Sequence, residues 1–117
     1  MKFALMLSAA LTGLTVLVCP TARAEPTPED YYSKRLSGYG VNYQGRYTFD
    51  EIVQEGQRVC ALLEEVVSTE TLQNARQRLV DQLGFSSPEA SGIVDSAVQS
   101  FCDQHSQLVM DSGIMTS

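Results

Sequence analysis

The chain has no tryptophan, one histidine and three cysteines, and its 8 basic residues face 14 acidic ones. One histidine, His105, flanked by Asp103 and Gln104, falls two ligands short of a zinc site. As a general base it would need a nucleophile and an oxyanion hole, and neither has a recognisable motif here. His105 is expected to be a solvated residue near a helix C-terminus, where a cation is mildly favoured. No C-x-x-C occurs, so a thioredoxin-like redox motif is excluded, and two thiols with no nearby histidine make a poor metal site. The deficit of base, a formal charge of -6, repels nucleic acid and anionic membrane surfaces alike. Strand alternation, internal repeats and low-complexity tracts are also missing, and 117 residues leave room for one domain. No metal, cofactor or nucleic acid is therefore expected, and no enzyme activity.

What is present begins with a leader. Lys2 supplies a minimal positive region, Phe3 to Val18 an apolar stretch interrupted by Ser8, Thr12, Gly13 and Thr15, and Ala22-Arg23-Ala24 a cleavage site. Residues 1–24 are expected to be a signal peptide and 25–117 a single helical domain with its core at about 28–103. Retention as an anchor is the alternative, but the apolar stretch is short for a span of roughly 20 residues. Cys19 would be lipidated only after a small residue, and Val18 precedes it. Removal takes away Lys2 and Arg23, which leaves Lys34, Arg35, Arg46, Arg58, Arg76 and Arg78 against all 14 acids.

Export also leaves an even cysteine count. Cys60 lies on the apolar stripe Ile52, Val53, Val59, Cys60, Leu63 of an amphipathic helix that starts at Phe49, around which the rest of the chain is expected to be organised. Cys102 follows Val98 and Phe101 on a later stripe. In an oxidising compartment the two should form one disulfide. It would close a loop of about 43 residues, for which the chain-entropy model gives roughly 4 kcal/mol.

Helix boundaries are marked by capping chemistry. Thr27 caps a first helix with Pro28 at its first position and acids in the first turn, and this helix carries Tyr31, Tyr32 and Leu36 before stopping near Ser37-Gly38. Thr48 and Glu51 form a capping box for the second helix, which should run to about Val67. Ser68 to Thr71 open a third, with Leu72, Ala75, Leu79, Val80 and Leu83 on one face and Gly84 at its end. Ser87 as cap and Pro88 at the first position start a fourth, with the stripe Ala90, Ile93, Val94, Ala97, Val98, Phe101. The expected fold is all-α: four helices stapled by one disulfide. Leu108-Val109-Met110 either dock as a short turn or stay loose. Mid-helix Gly56 costs about 1 kcal/mol relative to Ala, which implies that another helix passes close to it.

These residues resemble a family of small secreted actinobacterial proteins, domain of unknown function 732. The resemblance rests on Tyr31, Tyr32 and Leu36 with Gly40-Val41; on Gly56-Gln57-Arg58-Val59-Cys60 with Leu63; and on Ser86, Ala90, Val94, Ala97, Val98, Phe101 and Cys102. It covers roughly residues 29 to 103, departing at Asp103, where the family usually has proline, and in the loop after the first helix. It implies an exported all-α domain with one disulfide and no established activity, and brings no catalytic residue.

One stretch rises above scaffold. Gly38 to Tyr47 holds three glycines and three tyrosines without a period and reads as a loop. Tyr39, Tyr43, Arg46 and Tyr47 are the candidate partner-binding residues, because tyrosine and arginine dominate binding hot spots. The plainer alternative is that the rings lie over the helices as a lid. A sugar, a lipid head or a partner protein would suit the group. Glu64-Glu65 and Asp50-Glu51 are neighbours in sequence only and point apart on helices, so a solvated face is expected. The favoured function is a secreted or cell-envelope module, monomeric, that binds a partner protein or envelope component. The alternative is a carrier of a small hydrophobic ligand or lipid.

Overall fold

A computed structural model describes residues 26–115. The proposed signal peptide, the cleavage site and Glu25 lie outside the described residues. Within them are five α-helices and one 3-10 turn, with no strand: α1 Pro28–Gly38, α2 Phe49–Glu65, α3 Thr69–Leu83, α4 Ser87–Phe101, the turn Asp103–His105, and α5 Ser106–Ser112.

The caps form where side-chain oxygens can reach unpaired backbone N–H groups. Thr27 and Thr48 each accept from the third helical residue and receive a carboxylate in return, from Asp30 and Glu51 respectively. Ser68 accepts from Thr71 N–H at 3.2 Å. The fourth helix differs from expectation by one residue. Ser86, not Ser87, is the cap, because Glu89 then sits at the third position and closes a reciprocal box, which puts Pro88 second. Gly84 ends α3 at φ 80°, a left-handed conformation that side chains disfavour. The second helix stops at Glu65 and not at Val67. Val66 is extended and, like Val67, exposed, so neither valine had a buried face to extend the helix for.

The stripe on α2 is buried as expected, Ile52, Val53, Val59, Cys60 and Leu63; on α3 Leu72, Ala75 and Leu79 are buried, whereas Val80 and Leu83 are only partly covered at the edge of the core. The organising element is nevertheless α4 and not α2. Every residue from Ala90 to Val98 is buried, the polar Ser91, Asp95 and Ser96 included, and α1, α2, α3 and α5 all pack against this helix. A helix covered all round is the centre of a bundle, and its small residues let the others approach. The tail does not stay loose either. A fifth helix docks on α3 and α4, burying Val109 and then Ile114, while Gln73 Nε2 donates to Ser112 O at 3.1 Å.

Two links tie α2 into the bundle. Cys60 and Cys102 are disulfide-bonded, with Cα atoms 5.9 Å apart, joining α2 to the residue that ends α4. Glu55 forms an ion pair with Arg78 of α3. Gly56 lies under Tyr32 of α1, as the sequence implied. A Cβ there would come within 2.8 Å of the ring carbon Cζ and 3.0 Å of Phe101 Cε2. The Tyr32 hydroxyl donates to Ile52 O at 2.9 Å, and burial raises its pKa well above the ordinary tyrosine value.

Candidate interaction surface

The four loop candidates separate into two groups. Tyr43, Arg46 and Tyr47 stay together, Arg46 and Tyr47 closing the corner between α3 and α4 and Tyr43 packing at the start of α2. Arg46 N–H and Tyr47 N–H both donate to Tyr43 O, forming a tight turn in which Gly45 takes φ 89°. The Tyr47 hydroxyl then donates to Leu83 O at 2.9 Å, and Arg46 donates to Gly84 O at 3.2 Å and to Asn42 O at 2.9 Å. Carbonyls at a helix C-terminus lack intrahelical partners, and a guanidinium there also meets the negative end of the dipole. The Arg46 Cζ sits 4.6 Å from the centroid of the buried Phe85 ring, and the Tyr47 ring lies 5.7 Å from it. Tyr43 packs on the core beside Phe49. These three side chains already have internal work to do.

Tyr39 belongs elsewhere. It caps α1, its N–H donating to Arg35 O at 3.0 Å, and its Cβ lies over Gly92 of α4, where an added methyl would come within 2.9 Å. From there the phenol reaches Asp95, to which its hydroxyl donates. Arg35 Nη2 also binds Asp95 Oδ2, at 2.5 Å, and Gln99 Nε2 donates to Oδ1 at 3.3 Å. Arg35 further donates to the hydroxyls of Tyr31 and Tyr39, each at 3.3 Å. Its Cζ stands 5.6 Å from the Tyr31 ring centroid and 5.8 Å from that of Tyr39.

Tyr31, Arg35 and Tyr39 thus form a stripe along α1 at helical spacing, with Asp95 as its anchor in α4. The anchor is buried, its side chain 7% exposed, whereas Tyr31 and Tyr39 remain 43% and 40% exposed. Burial alone would lower the Arg35 pKa, but its hydrogen bonds to Asp95 and Tyr31 and the charges of Asp95 and Tyr39 together outweigh this and hold the pKa above the ordinary arginine value. Burial and then the bond to Asp95 raise the Tyr39 phenol. At the Tyr39 end the stripe opens into a groove of about 180 Å³ lined by Tyr39, Pro88, Ser91, Ile114 and Met115.

Sequence reasoning missed Arg35, Tyr31 and Asp95. A signal was there: Asp95 is the one charged residue between Ala90 and Phe101, and Tyr31, Arg35 and Tyr39 are spaced four apart. His105 is half-buried in the 3-10 turn, its N–H donating to Cys102 O at 3.0 Å. Among the described residues no group of three or more His, Cys, Asp or Glu side chains converges. Asp50, Glu51, Glu64 and Glu65 are exposed, Glu51 being engaged in its capping box. No helix of the described residues is long and apolar enough to cross a membrane.

No curated protein and no solved structure matches this chain. A family model described as "Protein of unknown function (DUF732)" does match, over residues 28–104, from the first residue of α1 into the 3-10 turn and including both bridged cysteines. The chain belongs to the DUF732 family.

Proposed function

We propose that this is an exported, monomeric module of the cell envelope or the extracellular space that binds a partner protein or envelope component and carries out no catalysis of its own. The observation that carries this is the Tyr31–Arg35–Tyr39 stripe: two exposed phenol rings held in place by an arginine whose charge is matched by a buried aspartate. Rigid tyrosines offer large contact area at little entropic cost, and pre-ordering the arginine reduces the cost of engaging it. The Tyr31 ring lies outside the core, unlike Tyr43 and Tyr47, which pack against it. The disulfide fits an oxidising compartment.

A carrier of small hydrophobic ligands would need interior room. The narrow space between α2 and α3, where Glu55, Arg58 and Arg78 flank Val59, Leu62 and Leu79, is about 10 Å³, space for a single water. That space is too small for a hydrophobic ligand, which supports a surface over a site between α2 and α3.

The test is capture from envelope extract on immobilised protein, comparing wild type with Tyr31→Ala and Met115→Ala. Both side chains are exposed, so both variants should fold. Capture should weaken by about 2 kcal/mol or more in Tyr31→Ala, roughly a 30-fold loss of affinity. Undiminished capture by both variants would rule the stripe and its groove out as the binding surface.

A further inference from the structure

A second groove lies on α2, and it is open, about 350 Å³, and lined by Gln57, Cys60, Ala61, Glu64 and Phe101. The α2 sequence accounts for it. Gln57, Ala61 and Glu64 recur at helical spacing on the face away from Glu55, all three exposed, and Ala61 is the shortest exposed side chain of the helix. A long side chain one turn before it and another one turn after leave a notch between them. Phe101, the last residue of α4, forms an apolar wall of this notch. Its ring is half-buried and packed from behind, 5.0 Å from the Tyr32 centroid and with Cε2 3.0 Å from where a Gly56 Cβ would stand. A wall already ordered lowers the cost of receiving a ligand.

The charge at the groove is of one sign. Among the described residues no cation pairs with Glu64, nor with the exposed Asp103 that follows the bridged Cys102. The arginines are engaged elsewhere: Arg35 with Asp95, Arg58 and Arg78 with Glu55, Arg46 with Gly84 O and Asn42 O, and Arg76 with the Ser91 hydroxyl. Lys34, the remaining base of the described residues, is on α1. Thirteen acids against six bases give the long-range field the same sign.

From the notch, its aromatic wall and this unmatched charge we propose that the groove docks a cationic amphipathic segment of a partner protein. One large apolar side chain of the segment enters beside Ala61 and Phe101, and a lysine or arginine pairs with Glu64. The rise from Gln57 to Glu64 is about 10 Å, room for two turns of a helix laid along α2. Amphipathic helices place their apolar face in such grooves through side chains three and four apart. An anionic segment would meet repulsion from Glu64, and a wholly apolar one would cover that carboxylate without pairing it. None of Tyr31, Arg35 and Tyr39 lines this groove, so the two surfaces stand or fall separately.

The experiment uses the folded, disulfide-bonded full chain, isotope-labelled for NMR, and two amphipathic peptides of about four helical turns. One consists of leucine and lysine with a single central phenylalanine, and in the other every lysine is replaced by glutamate. The lysine peptide should shift the amide signals of Gln57, Ala61, Glu64 and Phe101 most, and its affinity should fall as salt is added. Glu64→Gln should weaken its binding by about threefold. Asp81→Asn removes the same charge from an exposed position on α3 and should leave binding nearly unchanged. Ala61→Arg fills the notch and adds like charge, and should weaken binding by about tenfold or more. All three substitutions are at exposed helical positions, so the variants should fold. Shifts spread over the acidic surface or centred on the tyrosine stripe, equal losses in Glu64→Gln and Asp81→Asn, or full binding by Ala61→Arg would each overturn the proposal. So would a glutamate peptide that binds as well, or a lysine peptide that does not bind.

Discussion

At the scale of single residues, the α1–α4 contact turns on Asp95. Its carboxylate takes hydrogen bonds from Arg35, Tyr39 and Gln99 and is almost wholly buried. Removing one partner of a buried ion pair usually costs more than the pair contributes, because the other charge is left without compensation. Arg35 is partly exposed and can recover some hydration, which reduces the loss. Asp95→Ala should therefore lower unfolding free energy by about 2 kcal/mol, below the 3–5 typical of fully buried pairs. Tyr39→Phe should cost about 1 kcal/mol or somewhat more. In a denaturant double-mutant cycle the two should couple by at least about 0.5 kcal/mol, and strict additivity would mean that phenol and carboxylate act independently. Glu89 supplies a pH dependence. Burial alone would raise its pKa, but the backbone N–H groups of Ser86 and Asn42, the Ser86 hydroxyl and the Arg46 charge together hold it below the ordinary glutamate value. A depressed folded pKa contributes stability above the unfolded pKa and loses it as pH falls through the folded one. Wild type should accordingly lose more stability than Glu89→Gln on acidification below about pH 4.3, as followed by thermal melting.

At the scale of elements, local chemistry was legible and tertiary demands were not. Thr27, Thr48, Ser68 and Gly84 announce their helix ends because capping depends on residues three or four apart in the chain. Ser86 was passed over for Ser87 because proline is expected at the first helical position, whereas here the reciprocal bond with Glu89 decides the register. The fifth helix has no decisive signal in the sequence for a physical reason. Seven residues cannot hold a helix alone, and its stability comes from docking Val109 against α3 and α4. The lone charge of Asp95 on an apolar helix is legible locally, but its pairing with Arg35 and Tyr39 spans some sixty residues of chain, so the sequence does not name its partners. Gly56 was readable, since a mid-helix glycine is costly unless something needs the space. Gly56→Ala should improve helix propensity yet push a methyl into the buried Tyr32 ring, whose hydroxyl is fixed to Ile52. A net loss of about 1–3 kcal/mol is expected. Gly38→Ala, with open space around its Cβ, should be neutral or slightly stabilising. Equal effects in urea titrations would refute close packing at Gly56.

At the scale of the whole molecule, the disulfide and the C-terminal segment hold α4 by different means, the bridge at its C-terminal cap and Ile114 beside Pro88 and Ser91 near its start. The family match stops at residue 104, yet burial continues to Ile114, so this chain's core includes a segment beyond the part it shares with the family model. Truncation after His105 would uncover the sites of Val109 and Ile114, both about 2% exposed. At about 1.5–3 kcal/mol for each buried aliphatic side chain, the loss should approach 3 kcal/mol or more. The staple acts mainly on the unfolded chain, which it forbids from expanding between cysteines that are 42 positions apart. Cys60→Ser should therefore lower stability by about 2–5 kcal/mol while leaving the helical circular dichroism of the folded protein intact. Each loss is comparable to the net stability of a small domain, and together they should leave a protein with no cooperative transition. Either change alone should preserve a single transition at lower temperature, because α4 keeps its contacts with α1, α2 and α3. If Cys60→Ser melted at the wild-type temperature, the bridge would be structurally idle and α4 would be held by packing alone.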